Sequence, residues 1–284
     1  MKKEAMFYEP AKEKIHCFLC PHNCMIENGK FGKCNVRTNE DGKLFTINYG
    51  EITACSMDPI EKKPLCYFKP SSFILSVGTF GCNFTCGFCQ NYRISQSIAK
   101  SEYVPKEKLV DMILHKENNI GIAFTYNEPS IWYEYVYDCA KLLKEMDSDK
   151  SVVLVTNGYI NEKPLAELLP YVDAMNIDLK SFNNDYYKKL CGGSLKPVLK
   201  TIETAVKSCH VEVTTLLVSG ENDTVEEIEE IAKFLSSVDK NIPLHLSRYF
   251  PNYKFNNPAT DTEFMKKAGE VAHKYLNRVN LGNV

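Results

Sequence analysis

The chain has 284 residues and 44% hydrophobic content, enough to bury the core of one large domain carrying an N-terminal extension. Its formal charge of −2 supplies no basic field for a nucleic-acid backbone, so nucleic acid is not an expected partner. No segment reaches the roughly 18 apolar residues of a membrane span, and MKKEAMFYEPAKEKIHC at the N-terminus has no apolar run, so a cytoplasmic protein with no membrane partner is expected.

In a reducing compartment the twelve cysteines read as metal ligands, reactive thiols or small core residues before they read as disulfides. Residues 1–70 form the first expected unit, a cysteine-rich metal-binding region that is irregular, punctuated by glycine and proline, with short candidate strands such as LFTINYG. Cys17, Cys20, Cys24 and Cys34 follow the spacing C-x2-C-x3-C-x9-C, which supplies four soft thiolates. That set closes a tetrahedral zinc site and equally suits an auxiliary iron-sulfur cluster. His16 and His22 are alternatives to one of the cysteines. DPIEKKP, with Glu61, Lys62 and Lys63 between prolines, reads as a solvated or docking loop.

Residues 71–284 form the second expected unit. FILSVG (73–78), IGIAFTY (120–126), SVVLVTNG (151–158), DAMNIDLK (173–180), VEVTTLLV (211–218) and PLHLSRY (243–249) read as strands. Amphipathic segments near 105–118, 130–146, 162–169, 194–208, 224–237 and 260–276 follow them in alternation. Strand-helix repetition predicts an α/β fold with a parallel sheet, and six units predict a partial barrel or a doubly wound sheet. Polar residues gather at the strand ends: Asn127 and Glu128, Thr156 and Asn157, Asp178 and Lys180, then His245 and Arg248. In parallel α/β folds that edge binds ligands.

The first strand runs into GTFGCNFTCGFCQN, in which Cys82, Cys86 and Cys89 have the spacing C-x3-C-x2-C. Three thiolates alone do not close a four-coordinate site and no fourth His, Cys or Asp follows within the loop, so a zinc site here would need a distant cysteine. A four-iron cluster held by three cysteines keeps one iron free of protein ligands.

CNFTCGFC, with Phe88 before the last cysteine, resembles the signature of the radical S-adenosylmethionine superfamily. The resemblance implies a partial (β/α)6 barrel, a 4Fe-4S cluster on Cys82, Cys86 and Cys89, and S-adenosylmethionine chelated at the open iron. It implies reductive cleavage to a 5'-deoxyadenosyl radical that abstracts hydrogen from a substrate. TYNEP (125–129) sits where the superfamily presents an acidic residue to the methionine ammonium, which assigns that role to Glu128 with Asn127 beside it. VTNG and DLK resemble segments of pyruvate formate-lyase activating enzymes, placing Thr156, Asn157, Asp178 and Lys180 near the methionine or ribose, with Phe88 toward the adenine. Over nearly the whole chain the sequence is similar to the radical enzyme of the AmmeMemoRadiSam system, through CFLCPHNCMIENGKFGKCNVR, DPIEKKPL, DLKSFNNDYYKKLCGG and PLHLSRYFPNYK.

Cys191 in KLCGG lies near the expected catalytic edge and is a candidate to face the substrate or donate hydrogen, against a packing role. His245 and Arg248 are candidates for an anionic cofactor or substrate group, against a hydrogen-bond network. Three functions stay in view: a radical enzyme acting on a small molecule or protein with flavodoxin or ferredoxin as electron donor, a glycyl-radical activase, and a non-catalytic metal-binding scaffold or sensor.

Overall fold

Short apolar runs buried on both faces need strand neighbours on each side and helices across the faces. In the computed structural model, which describes all 284 residues, these runs build one eight-stranded sheet. Its strands are β1 (Ala54–Pro59), β2 (Phe73–Gly78), β3 (Asn119–Phe124), β4 (Ser151–Thr156), β5 (Ala174–Asp178), β6 (His210–Leu217), β7 (Leu244–Arg248) and β8 (Val279–Gly282), in chain order across the sheet. Strands β2 to β8 run parallel, while β1 lies antiparallel to β2 and pairs Ala54 with Gly78. A doubly wound sheet would reverse its strand order, and this one does not. Because β1 and β8 are unpaired edges, the sheet is an open, partial barrel.

The six expected strands are β2 to β7, and the structure adds one at each edge. β1 reads ACSMDP and β8 reads VNLG, both half-exposed and without the apolar run of a central strand. β1 also lies before residue 71, so the sheet draws on the N-terminal segment.

Six helices fill the crossovers: α1 (Lys106–His115), α2 (Tyr133–Met146), α3 (Glu162–Leu168), α4 (Leu195–Ala205), α5 (Val225–Asp239) and α6 (Thr262–His273). Each buries one stripe. In α4 that stripe is Leu195, Val198, Ile202 and Ala205, and every large aliphatic side chain so buried contributes about 1.5–3 kcal/mol. Thr224 starts α5 by accepting from the Glu227 N–H at 3.2 Å, and Asp261 starts α6 by accepting from the Glu263 N–H at 3.1 Å.

The barrel floor is closed by the connection from β1 to β2. Ile60 and Leu65 enter a small apolar cluster with Ile74, Ala123, Val153 and Ala174 from the strand interiors. The polar half of the floor holds the same connection by its backbone. Glu212 accepts from the N–H groups of Cys66 at 3.0 Å and Tyr67 at 2.8 Å, and Asn176 Nδ2 donates to the Pro64 carbonyl at 2.9 Å. DPIEKKP, expected as a solvated or docking loop, therefore leads into a plug that docks on the barrel floor.

Residues 1–53 are more regular than their glycines and prolines suggest. They form two three-stranded antiparallel sheets, Tyr8–Ala11 with Lys14–Cys17 and Cys24–Glu27, and Lys3–Glu4 with Lys43–Thr46 and Arg37–Glu40. The punctuating residues mark hairpin turns. Asp41 and Gly42 both take positive φ, 51° and 81°, as a type I′ turn requires. This region has no core of its own: Ile15, Leu19, Val36 and Leu44 share one 66-residue cluster with Leu75, Phe124 and Trp132.

Candidate active site

The C-terminal ends of the central strands open on a cavity of about 340 Å³, a size suited to a cofactor or small substrate. Cys82, Cys86, Cys89 and Phe88 line it, together with Asn127, Glu128, Thr156, Asn157, Asp178 and Lys180. The loop after β2 is held from several sides. Asn127 Oδ1 accepts from the Thr79 N–H at 3.1 Å, and its Nδ2 donates to the Gly81 carbonyl at 2.8 Å. His22 Nε2–H donates to the Asn83 carbonyl at 2.7 Å, so the N-terminal region props the loop directly.

The three thiols have distinct surroundings. The Phe84 N–H donates to Cys82 Sγ at 3.3 Å, and Cys89 Sγ lies 3.2 Å from Ser95 Oγ. Burial and the Glu128 carboxylate push the Cys82 thiol well up, and burial pushes Cys89 up. Cys86 is held below the usual thiol range by the Cys191 thiol and by the Lys180 ammonium. No three His, Cys, Asp or Glu side chains are drawn tightly enough to chelate a single ion. Thiolates on separate irons of one cluster need not converge on a point. Three soft donors lining one cavity fit such a cluster.

Glu128 is 2% exposed, and burial raises its carboxyl above the usual range. It accepts from the Ser130 N–H at 2.9 Å, Thr156 Oγ1–H at 2.6 Å and the Asn157 N–H at 2.8 Å. It caps the short helical turn Pro129–Trp132 and it lines the cavity. A carboxylate offers about four lone-pair positions, so three neutral donors leave room for a cation. Asp178 Oδ2 pairs with Lys180 Nζ at 2.9 Å. Burial works against the Lys180 charge, but Asp178, Cys86 and Cys191 outweigh it and hold the ammonium well above its ordinary value.

Three expected site residues lie elsewhere. His245 Nε2–H donates to buried Glu212 at 2.6 Å in the floor, because its position on β7 is too near the strand start to reach the cavity. Arg248 Nε donates to the Thr260 carbonyl at 2.9 Å and its guanidinium lies over Phe250. Cys191 is fully buried in the turn Tyr187–Cys191 behind Cys86, with its carbonyl accepting from the Thr85 N–H at 2.8 Å, and does not face the cavity. Conversely, Lys63 and Tyr126 line the cavity and went unrecognised in sequence. The proline-flanked lysines look solvated until the plug buries one of them.

Cys17, Cys20, Cys24 and Cys34 surround a second, small cavity with Arg37. Cys17 and Cys24 face each other across paired strands, which brings the outer members of CFLCPHNC together. Burial pushes the Cys20 thiol up to about 12 and Cys34 up to about 11. Arg37 Nη1 donates toward Cys17 Sγ at 3.8 Å, and its guanidinium forms a buried ion pair with Glu134 of α2.

Several known proteins resemble the chain as a whole. The chain is 41% identical to an uncharacterised protein of Methanocaldococcus jannaschii over 99% of its own length and 85% of that protein's. It is 32% identical to a putative glycyl-radical enzyme activating enzyme of the same organism, over 71% of this chain and 78% of the relative. Among solved structures, Streptococcus suis SuiB bound to S-adenosylmethionine shares the fold, with a TM-score of 0.57 at 14% identity over 74% of this chain and 51% of that one. The model of the Radical SAM superfamily matches residues 76–235, more than half of the sequence, from β2 into α5. The chain belongs to the radical SAM superfamily.

Proposed function

We propose that this protein is a radical S-adenosylmethionine enzyme acting on a substrate held in the cavity above the barrel floor. The observation that carries the reading is that Cys82, Cys86 and Cys89 line one cavity with Glu128 and the Asp178–Lys180 pair. When bound, a 4Fe-4S cluster on those thiols would supply the electron that cleaves S-adenosylmethionine to methionine and a 5'-deoxyadenosyl radical, which takes hydrogen from substrate.

The remaining work falls to the chain. Glu128 receives the methionine ammonium through its spare acceptor position, a charge-assisted contact shielded from water. Lys180 keeps its charge beside Cys86 and offsets the negative charge of the thiolates. Thr156 and the Asn157 N–H fix the Glu128 carboxylate in place, and Phe88, packed on Tyr186 and Phe255, offers an aromatic edge to the adenine. Flavodoxin or ferredoxin is the proposed electron donor. The N-terminal quartet surrounds one small cavity without converging tightly on a point, and is proposed as a structural metal centre, zinc or an auxiliary cluster, that would draw its thiols together.

Anaerobic reconstitution followed by dithionite and S-adenosylmethionine should yield 5'-deoxyadenosine. An intact cluster that forms none would overturn the proposal. The putative activating enzyme among the relatives supports a second reading, activation of a glycyl-radical enzyme at a protein glycine. A glycyl doublet in the EPR spectrum of a co-incubated partner would select it.

A further inference from the structure

The plug that closes the floor carries two lysines into the cavity. Lys63 follows the turn Ile60–Lys62, its side chain is 3% exposed, and it lines the cavity together with Lys62. Its ammonium donates to Asp58 Oδ2 at 2.7 Å and stands 4.7 Å from the centre of the Tyr126 ring. Tyr126 also donates its hydroxyl to Asp58 Oδ2, at 2.8 Å, from a backbone φ of 71°. A tyrosine in the left-handed region is strained, and the strain aims the phenol at this aspartate. An ammonium has three N–H groups and Asp58 engages one. Lys62 Nζ lies 3.9 Å from the other oxygen of the same carboxylate. Two cations share one anion, so this end of the cavity is net positive and holds a buried donor with unused capacity.

Resting on the proposed radical chemistry, we propose that Lys63, with Lys62 and Tyr126, forms an anion subsite that binds the carboxylate or phosphate group of a small substrate. Its anchor, Asp58, starts from the far end of β2. Asp58 pairs with Ile74 at the start of β2, whereas the thiols follow Gly78 at its end. Four residues of strand span roughly 13 Å. Tyr126 bridges the two ends, its Cβ beside Gly78 and its hydroxyl on Asp58, so displacement by S-adenosylmethionine is the measure of whether the subsite is separate, and the closed floor admits no polypeptide from below. A small molecule anchored at Lys63 extends toward the thiols, where the radical would form.

The test uses the reconstituted holoenzyme saturated with S-adenosylmethionine and titrated calorimetrically with inorganic phosphate, malonate or neutral malonamide. Phosphate or malonate should bind and malonamide should not, with the two anions distinguishing phosphate from carboxylate recognition. Lys63→Met should weaken anion binding about tenfold or more, and Lys63→Arg by no more than about threefold. Lys62→Met, at an exposed position, should weaken it by about twofold to threefold, and carries the comparison if Lys63→Met does not fold. Absence of anion binding by wild type, equal binding by the folded variants, or displacement of the anion by S-adenosylmethionine would each overturn the subsite. Failure of the radical chemistry is read separately, as absence of 5'-deoxyadenosine from wild type.

Discussion

Glu128 shows how one side chain can be legible as two things at once. The sequence TYNEP places an acid before a proline that opens a helical turn, and the structure makes it both cap and cavity wall. Glu128→Gln exchanges one acceptor oxygen for a donor and removes the charge. Affinity for S-adenosylmethionine, measured calorimetrically on the reconstituted protein, should fall about tenfold or more. Unchanged affinity would remove Glu128 from the cofactor site. Glu212 was invisible as a site because its partners, His210, His245 and the plug backbone, come from separate segments. They lower its carboxyl from 4.5 to about 2 in spite of burial. A carboxyl depressed on folding contributes stability that is full above its unfolded value and is lost as pH falls through the folded one. The folding free energy of wild type should therefore drop between about pH 4.5 and pH 2 by about 3 kcal/mol more than that of Glu212→Gln, measured by urea denaturation across that range.

At the scale of elements, structure is legible in sequence where one periodicity dominates. The six central strands and their crossover helices are local patterns of burial, so they could be counted from the sequence. β1 and β8 could not, because an edge strand needs neither an apolar run nor a strict alternation. The cysteine loop is an element whose spacing is local but whose shape is not. Gly81 has φ +88°, and a Cβ there would lie 2.6 Å from Val36 Cγ1 and 2.9 Å from the Cys34 carbonyl. Gly81→Ala should cost roughly 1–3 kcal/mol in chemical denaturation. It should also lower the iron retained after reconstitution, measured per chain, since the loop that carries the thiols must shift. Full iron retention at wild-type stability would mean that the loop and the N-terminal region are not tightly coupled.

Across the whole molecule, the N-terminal region and the barrel share one core and one buried ion pair. Arg37 and Glu134 are each 1% exposed at the side chain. Arg37→Met should destabilise the protein by about 3–5 kcal/mol, because the charge left on Glu134 has no compensating partner. The single tryptophan, Trp132, donates its Nε1–H to the Asn48 carbonyl at 2.6 Å and so reports on the contact between the two regions. Its fluorescence and the far-ultraviolet circular dichroism should therefore unfold at the same temperature. Separate transitions would show that the regions melt independently.

The sequence by itself determined the three-thiol loop, the four-thiol spacing, the parallel α/β class and the acid in TYNEP. Each depends on residues close together in the chain. Only the tertiary structure decided that His245 belongs to the floor, that Cys191 lies behind Cys86, and that Lys63 enters the cavity. Those placements depend on which strand interior a side chain enters and on what the β1–β2 connection buries. Burial makes an ammonium or carboxylate matter by removing the water that would otherwise screen it, and burial is a property of the assembled barrel.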